Sequence, residues 1–385
     1  MLRRILETVR DVVRQADLVL LGLCSAATLY GIVLIWSATN YRSNTSRFVL
    51  MQAAGWALGV ALYFFFSTLD VTELTKKWKW LLVFDVGFIL LLLTPYGTAG
   101  GTGNRAWLDL PFLPMNIQPA EVVKVPFILL LGRQFAYLRE EHDLKRFANV
   151  LQPTLHTIFM VGLIVVISGD AGSALVYLFV FICMAYFAGM AKRWLALGLG
   201  GGAAAFYAAW DLNLLPDYMK KRFLVVLDHS YDVIDKGFQQ TRGLLALGGG
   251  GWTGQGLFHG TQTQSTSKWS LPERQTDFIF CVCGEELGFV GCALVIALLF
   301  AIIVRCFLVA RDATTQQETF VCVGMASMLI FQTLANIGMC LFVLPVIGLT
   351  LPFFSYGGSS IVTLFAAMGI VSGIKKRSRP EWLMN

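Results

Sequence analysis

The sequence predicts an all-α polytopic membrane protein with about ten transmembrane helices and a large outer loop between spans seven and eight. Three observations carry that prediction. Apolar residues make up 56% of the 385 positions and charged residues only 14%, against about 25% charged in a soluble domain. The apolar residues fall in long runs, and roughly 20 such residues let a helix cross the hydrocarbon core. Lysine and arginine concentrate in alternate connections between the runs, as expected when every second loop faces the cytoplasm.

The chain opens with a basic amphipathic stretch, Arg3 to Arg14, suited to the membrane surface. Spans are then expected at about 18–38, 48–68, 78–94, 119–137, 153–169, 171–190, 194–210, 287–308, 319–340 and 358–374. With both termini in the cytoplasm, the inner segments hold nineteen of the thirty basic residues, although the outer loops are longer. That bias places both termini inside. No cleavable signal peptide is visible, because the first apolar run is long enough to stay in the membrane.

Two outer connections are long, residues 95–118 and 211–286, and residues 1–385 read as a single transmembrane domain around them. The second is too polar to build a core of its own. It holds an amphipathic stretch, Asp217 to Leu227, then Gly237 to Leu247, then the glycine run Gly248 to Gly251. Short helices at or dipping into the outer interface are expected there. Glycine lets the backbone turn back sharply, and irregular backbone at membrane depth needs protein or a water-filled cavity over it.

Composition also excludes. The eight cysteines are scattered, mostly within apolar runs, and the four histidines do not cluster, so neither a disulfide framework nor a zinc or His-based metal site is expected. No glycine-rich nucleotide motif follows a predicted strand, and nothing marks a nucleic-acid partner.

Candidate chemistry gathers at the outer ends. Asp277, Glu285 and Glu286 precede the apolar run Phe289 to Val304, and carboxylates at the mouth of a span are costly unless they do something. Asp277 follows Thr276 at an expected helix start, so it is either a helix cap or a general base presented to an outer cavity. A helix N-terminus would favour its ionised form. Glu286 is expected to be structural.

Glu121 and Lys124 stand at i and i+3 on the fourth span, where they can pair. Each alone would cost about 2.5–3.5 kcal/mol at mid-membrane. They form either a structural ion pair or a site where Lys124 meets an anion. Arg105, Arg222, Arg242, Lys220, Lys221 and Lys268 give the outer face a basic excess. Singly these are ordinary loop charges; together they suit an anionic headgroup, since arginine forks match phosphate oxygens. The stretch Phe354 to Ser360 opens the tenth span as a small-residue packing and re-entrant motif, and its Ser355 is placed with the substrate contacts. Gln332 and Asn336, at i and i+4 on the ninth span, are expected to be interhelical hydrogen-bond partners.

Several motifs now stand in order: Asn104-Arg105-Ala106-Trp107-Leu108; Gln118-Pro119-Ala120-Glu121 with Lys124; Gly237-Phe238-Gln239-Gln240; Gly254-Gln255-Gly256; Leu271-Pro272-Glu273 with Thr276-Asp277-Phe278-Ile279-Phe280; Glu285-Glu286-Leu287-Gly288; Asn336-Ile337-Gly338-Met339; and Leu351 to Ser360. In this order the chain resembles, over nearly its whole length, the SEDS family (shape, elongation, division and sporulation). Ala120 and Gln275 depart from the usual Ser and His, and residues 259–270 are longer than the usual connection.

The resemblance implies ten spans in the bacterial cytoplasmic membrane and a peptidoglycan glycosyltransferase that polymerises lipid II, an undecaprenyl-linked substrate, beside a class B penicillin-binding transpeptidase. It implies that Asp277 matches the family's essential acid. It likewise matches Trp107 to a functionally important tryptophan, and Glu121 and Lys124 to the fourth-span pair. No cofactor is required by this reading, and a divalent metal, Mg²⁺ or Mn²⁺, is a candidate for the leaving pyrophosphate. The alternative is a flippase for lipid-linked precursors. Its signature would be inverted repeats around a midplane site; none is found, and the polar motifs lie at the outer ends.

Overall fold

A computed structural model describes residues 12–99, 104–111, 115–141, 143–229, 231–232 and 237–378. The expected surface helix at the N-terminus falls mainly on residues 1–11, outside the described residues. Each expected span coincides with a helix. These are α1 (Leu18–Thr39), α2 (Thr45–Ser67), α4 (Trp78–Leu90, extended by a 3₁₀ turn at Leu91–Leu93), α5 (Pro119–Glu141), α6 (Phe147–Ser168), α7 (Ala171–Ala188), α8 (Lys192–Asp211), α11 (Ile279–Asp312), α12 (Gln316–Cys340) and α13 (Gly358–Arg377). A short helix α3 (Val71–Lys76) precedes α4, while α9 (Asp217–Leu227) and α10 (Phe238–Gly250) fill the large outer loop. The protein is a helical polytopic membrane protein.

Seven of the described helices are long and apolar enough to cross a membrane by length and composition. The other three depart for visible reasons: α4 is only 13 residues long, α5 carries Glu121, Lys124 and Arg133, and α8 is diluted by glycines.

The core runs around α12, which is buried along most of its length and packs on α5, α7 and α11. Helix α13 lies along α2. There Gly369 and Gly373 face the backbone of Tyr63 and Ser67 so closely that a Cβ would overlap it. At the expected cytoplasmic end, Asp17 caps α1 and joins Arg305 at 2.8 Å and Lys375 at 2.9 Å. Arg377 pairs with Glu318 nearby. Breaking such a buried pair from one side costs about 3–5 kcal/mol, so this end is firmly tied.

The opposite end is irregular, and its irregularity begins inside α11. Gly288, at φ 64° and ψ −160°, interrupts the helix. The freed groups are not orphaned. The carbonyls of Glu285 and Glu286 accept the N–H groups of Gln255 and Gly256, and the N–H groups of Phe289 and Val290 donate to Gly251 and Trp252. Residues 251–256 therefore act as a patch of backbone inserted into the break, which pairs these four groups, as irregular backbone within a membrane requires. The glycines make it possible: a Cβ at Gly250 would overlap the Gly284 carbonyl, and one at Gly254 the Glu286 carbonyl.

Gly288 occupies a backbone region open essentially to glycine alone, worth about 1–3 kcal/mol of strain for another residue. Gly288→Ala is therefore expected to lower the thermal unfolding midpoint in detergent. Gly162→Ala, on α6 with open space where the Cβ would go, leaves it unchanged or raises it. Equal midpoints for the two variants would contradict the inserted-backbone account.

Candidate active site

Five segments converge at the outer end: residues 104–111 with 115–118, the start of α7, helix α9, the turn Leu271–Phe278, and the loop from Leu341 to Gly357. The first is a small β-structure, in which Gly97–Thr98 pairs with Trp107–Leu108 and Leu108 bridges to Ile117. Arg105 is exposed, yet its guanidinium is occupied in donating to the carbonyls of Gly97 (3.1 Å) and Thr94 (2.7 Å). Asn104 donates to Gly169 O, and Gln118 to the Asp170 carboxylate at 2.7 Å. Asp170 in turn caps α7 through Ser173. Trp107 is half-buried on this platform.

Asp277 is half-buried just before α11. The expected capping role is not realised: Phe278 occupies the cap position, with no side-chain cap bond. No donor among the described residues hydrogen-bonds the Asp277 carboxylate. Burial, reinforced by the neighbouring Glu273 and by Asp170, pushes its pKa up to about 7, against the opposing pull of Arg222. Desolvation disfavours a charged carboxyl in this way. The side chain is thus poised near neutrality instead of locked in the ionised form expected of a helix N-terminus.

What holds Asp277 is main chain. Three consecutive carbonyls receive bonds from α12 and the loop after it. Tyr356 N–H donates to Gln275 O at 2.9 Å, Ser355 Oγ to Thr276 O at 2.6 Å, and Asn336 Nδ2 to Asp277 O at 2.9 Å. Ser355 Oγ also accepts from Leu351 N–H at 2.8 Å, so this hydroxyl is engaged on both sides. Arg222, on α9, donates to Val346 O at 2.8 Å in the same loop.

The other predicted residues have contacts of their own. Lys124 and Glu121 are buried and paired at 2.5 Å, with Ser360 Oγ 3.4 Å from the Glu121 carboxylate. Arg242 lies over the Phe238 ring at 5.4 Å, and Trp269 meets that ring edge-on at 5.8 Å. Lys268, beside Trp269, is exposed. These two cations form a second, aromatic-lined patch.

Sequence reasoning missed the loop anchors. Glu285 accepts from Gln262 N–H and from Thr263 N–H and Oγ1, and Glu286 accepts from Ser37 Oγ, Gly260 N–H and Gln264 Nε2. Arg274, buried over the Tyr41 ring at 3.9 Å, donates to the carbonyls of Gln262, Thr263 and Ser265 and to Ser270 Oγ. The signal was present in the length of residues 259–270: an extended polar loop has many carbonyls to satisfy, and an adjacent arginine has five donors. Asn336 was expected to pair between helices and instead binds backbone.

The family profile described as "Cell cycle protein", covering FtsW, RodA and SpoVE, matches residues 17–380. The chain belongs to the SEDS family. This SEDS chain is 32% identical to the stage V sporulation protein E of Bacillus subtilis over 370 residues, 94% of this chain and 98% of that one. It is 30% identical to the peptidoglycan glycosyltransferase MrdB of Escherichia coli over 358 residues, 93% of each. Among solved structures it is similar to a chain of a peptidoglycan synthase complex described as coordinating polymerization and crosslinking. The TM-score is 0.78 at 28% identity, covering 95% of this chain and 99% of that one.

Proposed function

We infer that this chain is a peptidoglycan glycosyltransferase that polymerises lipid II on the outer face of the bacterial cytoplasmic membrane, in elongation, division or sporulation. The single observation that carries the mechanism is Asp277. It is a carboxylate at the converging outer loops, with a pKa near 7 and a guanidinium in its field. A general base works best when its pKa lies near the operating pH. In this reading Asp277 takes the proton from the acceptor's sugar hydroxyl as that oxygen attacks the anomeric carbon of the donor. The anomeric C–O bond breaks and undecaprenyl pyrophosphate leaves.

Arg222 is the first choice for the charge developing on that pyrophosphate, because it already acts on Asp277. Arg242 and Lys268, around Phe238 and Trp269, suit the approach of phosphates or sugar rings, and Trp107 offers an aromatic face to a sugar. Arg105, Lys124, Glu121 and Ser355 act through the architecture, since their polar groups are engaged within the protein. Among the described residues no group of three or more His, Cys, Asp or Glu could hold a metal ion; Mg²⁺ or Mn²⁺ on the leaving pyrophosphate needs fewer protein ligands and stays a candidate with no step assigned to it.

A transpeptidase with a single membrane helix is the partner this reading calls for. Two small-residue positions of this chain are filled internally: Gly338 is covered by Leu344, and Gly358 by Met115. An open apolar groove of about 580 Å³ lies instead along α11, lined by Leu247, Gly284, Gly288, Ala293, Ala297 and Leu341 among others. Small residues there let a helix approach closely. A cysteine at Ala297 is expected to crosslink to the membrane helix of the cognate transpeptidase. Crosslinking only from Gly369 on the α2–α13 seam would contradict this placement. The charge bias places both termini in the cytoplasm, so a cysteine at Lys192 should resist an impermeant label in intact cells; its labelling would overturn that sidedness.

Asp277→Asn keeps the side-chain shape but cannot accept the proton. Base assistance is typically worth about 10²–10⁴ in rate. The variant should fold and reach the membrane, yet polymerise labelled lipid II at least about 10²-fold more slowly. A near wild-type rate would move the base elsewhere and reopen the flippase reading.

A further inference from the structure

The Asp277 carboxylate has no hydrogen-bonding donor among the described residues, so its position depends on how its backbone is held. Asn336 is fully buried on α12. Its amide donates twice, to Asp277 O at 2.9 Å and to Leu349 O at 2.7 Å. An asparagine amide has two N–H donors, and both are used. The Cys340 thiol, one turn on, faces the same Asp277 carbonyl at 3.6 Å and Asn336 Oδ1 at 4.0 Å.

The second acceptor belongs to the loop that frames the carboxylate. Gly348, at φ 69°, comes so near that a Cβ there would stand 3.9 Å from an Asp277 carboxylate oxygen. Val346, two residues earlier, supplies the carbonyl on which Arg222 rests. A single buried amide therefore joins the backbone of the acid to the loop that seats the cation. Ser355 staples the preceding carbonyl, Thr276 O, to the far end of the same loop.

We propose that Asn336 is a positioning residue of this site: it sets the placement of Asp277 relative to the Val346–Leu349 loop and Arg222, with Ser355 as its second staple. The proposal rests on the reading of Asp277 as the base. The charged groups acting on Asp277 are Glu273 from its own turn, Arg222 from α9 and Asp170 from the start of α7; the Cys340 thiol faces its carbonyl. With the clamp gone, the carboxylate is free to turn toward water, which removes the burial that raises its pKa. The acid limb of activity then moves to lower pH while the maximal rate falls. A protein that is merely less stable does not move that limb.

The test is polymerisation of labelled lipid II by the purified full chain in liposomes across pH, with unfolding midpoints measured in parallel. The variants are Asn336→Ala, Asn336→Leu, Ser355→Ala and Ser355→Thr. A misplacement of about 1 Å can cost 10²-fold in rate. The Asn336 variants should therefore lose about 10- to 100-fold in kcat, with KM nearly unchanged and the acid limb displaced downward. Ser355→Ala should show the same pair of effects more weakly, and Ser355→Thr should restore both by keeping the hydroxyl. An unchanged kcat and limb, or a raised KM alone, overturns the proposal. If the Asn336 variants do not fold, Ser355→Ala decides by the same two readouts. A wild-type chain that polymerises nothing removes the base reading beneath the proposal; an active wild type with unaltered variants removes the proposal alone.

Discussion

A carboxylate at the mouth of an apolar bundle is held here by the carbonyls of its own backbone, and the surrounding fold follows from that constraint. A direct bond from a cation would fix Asp277 more simply. It would also favour the ionised form and drive the pKa down, leaving a weak base. Holding the main chain at Gln275, Thr276 and Asp277 fixes the side chain while no described residue donates to its oxygens. The half-buried setting then raises the pKa toward neutrality. The cation that opposes this rise, Arg222, is seated on Val346 O, in the loop that Asn336 ties to Asp277.

The same end of the bundle needs irregular backbone, and irregular backbone at membrane depth must be paired. The break at Gly288 meets that requirement by taking residues 251–256 as its hydrogen-bond partner. Glu285 and Glu286 lie immediately before the break and accept from residues 260–264 and Ser37. They are therefore spent on holding the outer loop over the site. Of three carboxylates close in sequence, two are anchors, and the third, Asp277, accepts no hydrogen bond from a described residue.

Much of this was legible in the sequence, and the missing part has a common cause. Hydropathy located the ten helices, because a span is a local property of the chain; most ends agree to within about four residues, but α6 and α11 begin six and eight residues before the expected starts. Asp277 stood out in the sequence as the candidate acid, and Glu286 was expected to be structural, as its bonds to Ser37, Gly260 and Gln264 bear out. The capping role offered for Asp277 was wrong, because it assumed that the helix begins where the polar turn ends; a helix that starts at Ile279 leaves Asp277 outside its first turn. The backbone roles of Ser355, Asn336 and Arg274 went unread because each binds carbonyls far along the chain or within a loop. Carbonyls carry no residue identity, so no spacing rule points to them.

The most direct test of the central claim is the pH dependence of lipid II polymerisation by the purified wild-type chain. An acid whose pKa is raised is protonated, and so inactive as a base, below that value. With the Asp277 pKa near 7, the rate should rise about tenfold per pH unit below neutrality and level off just above it. A rate that is flat from about pH 5 to pH 8, as expected of a carboxylate with the ordinary pKa near 4, would contradict a half-buried base held by its backbone.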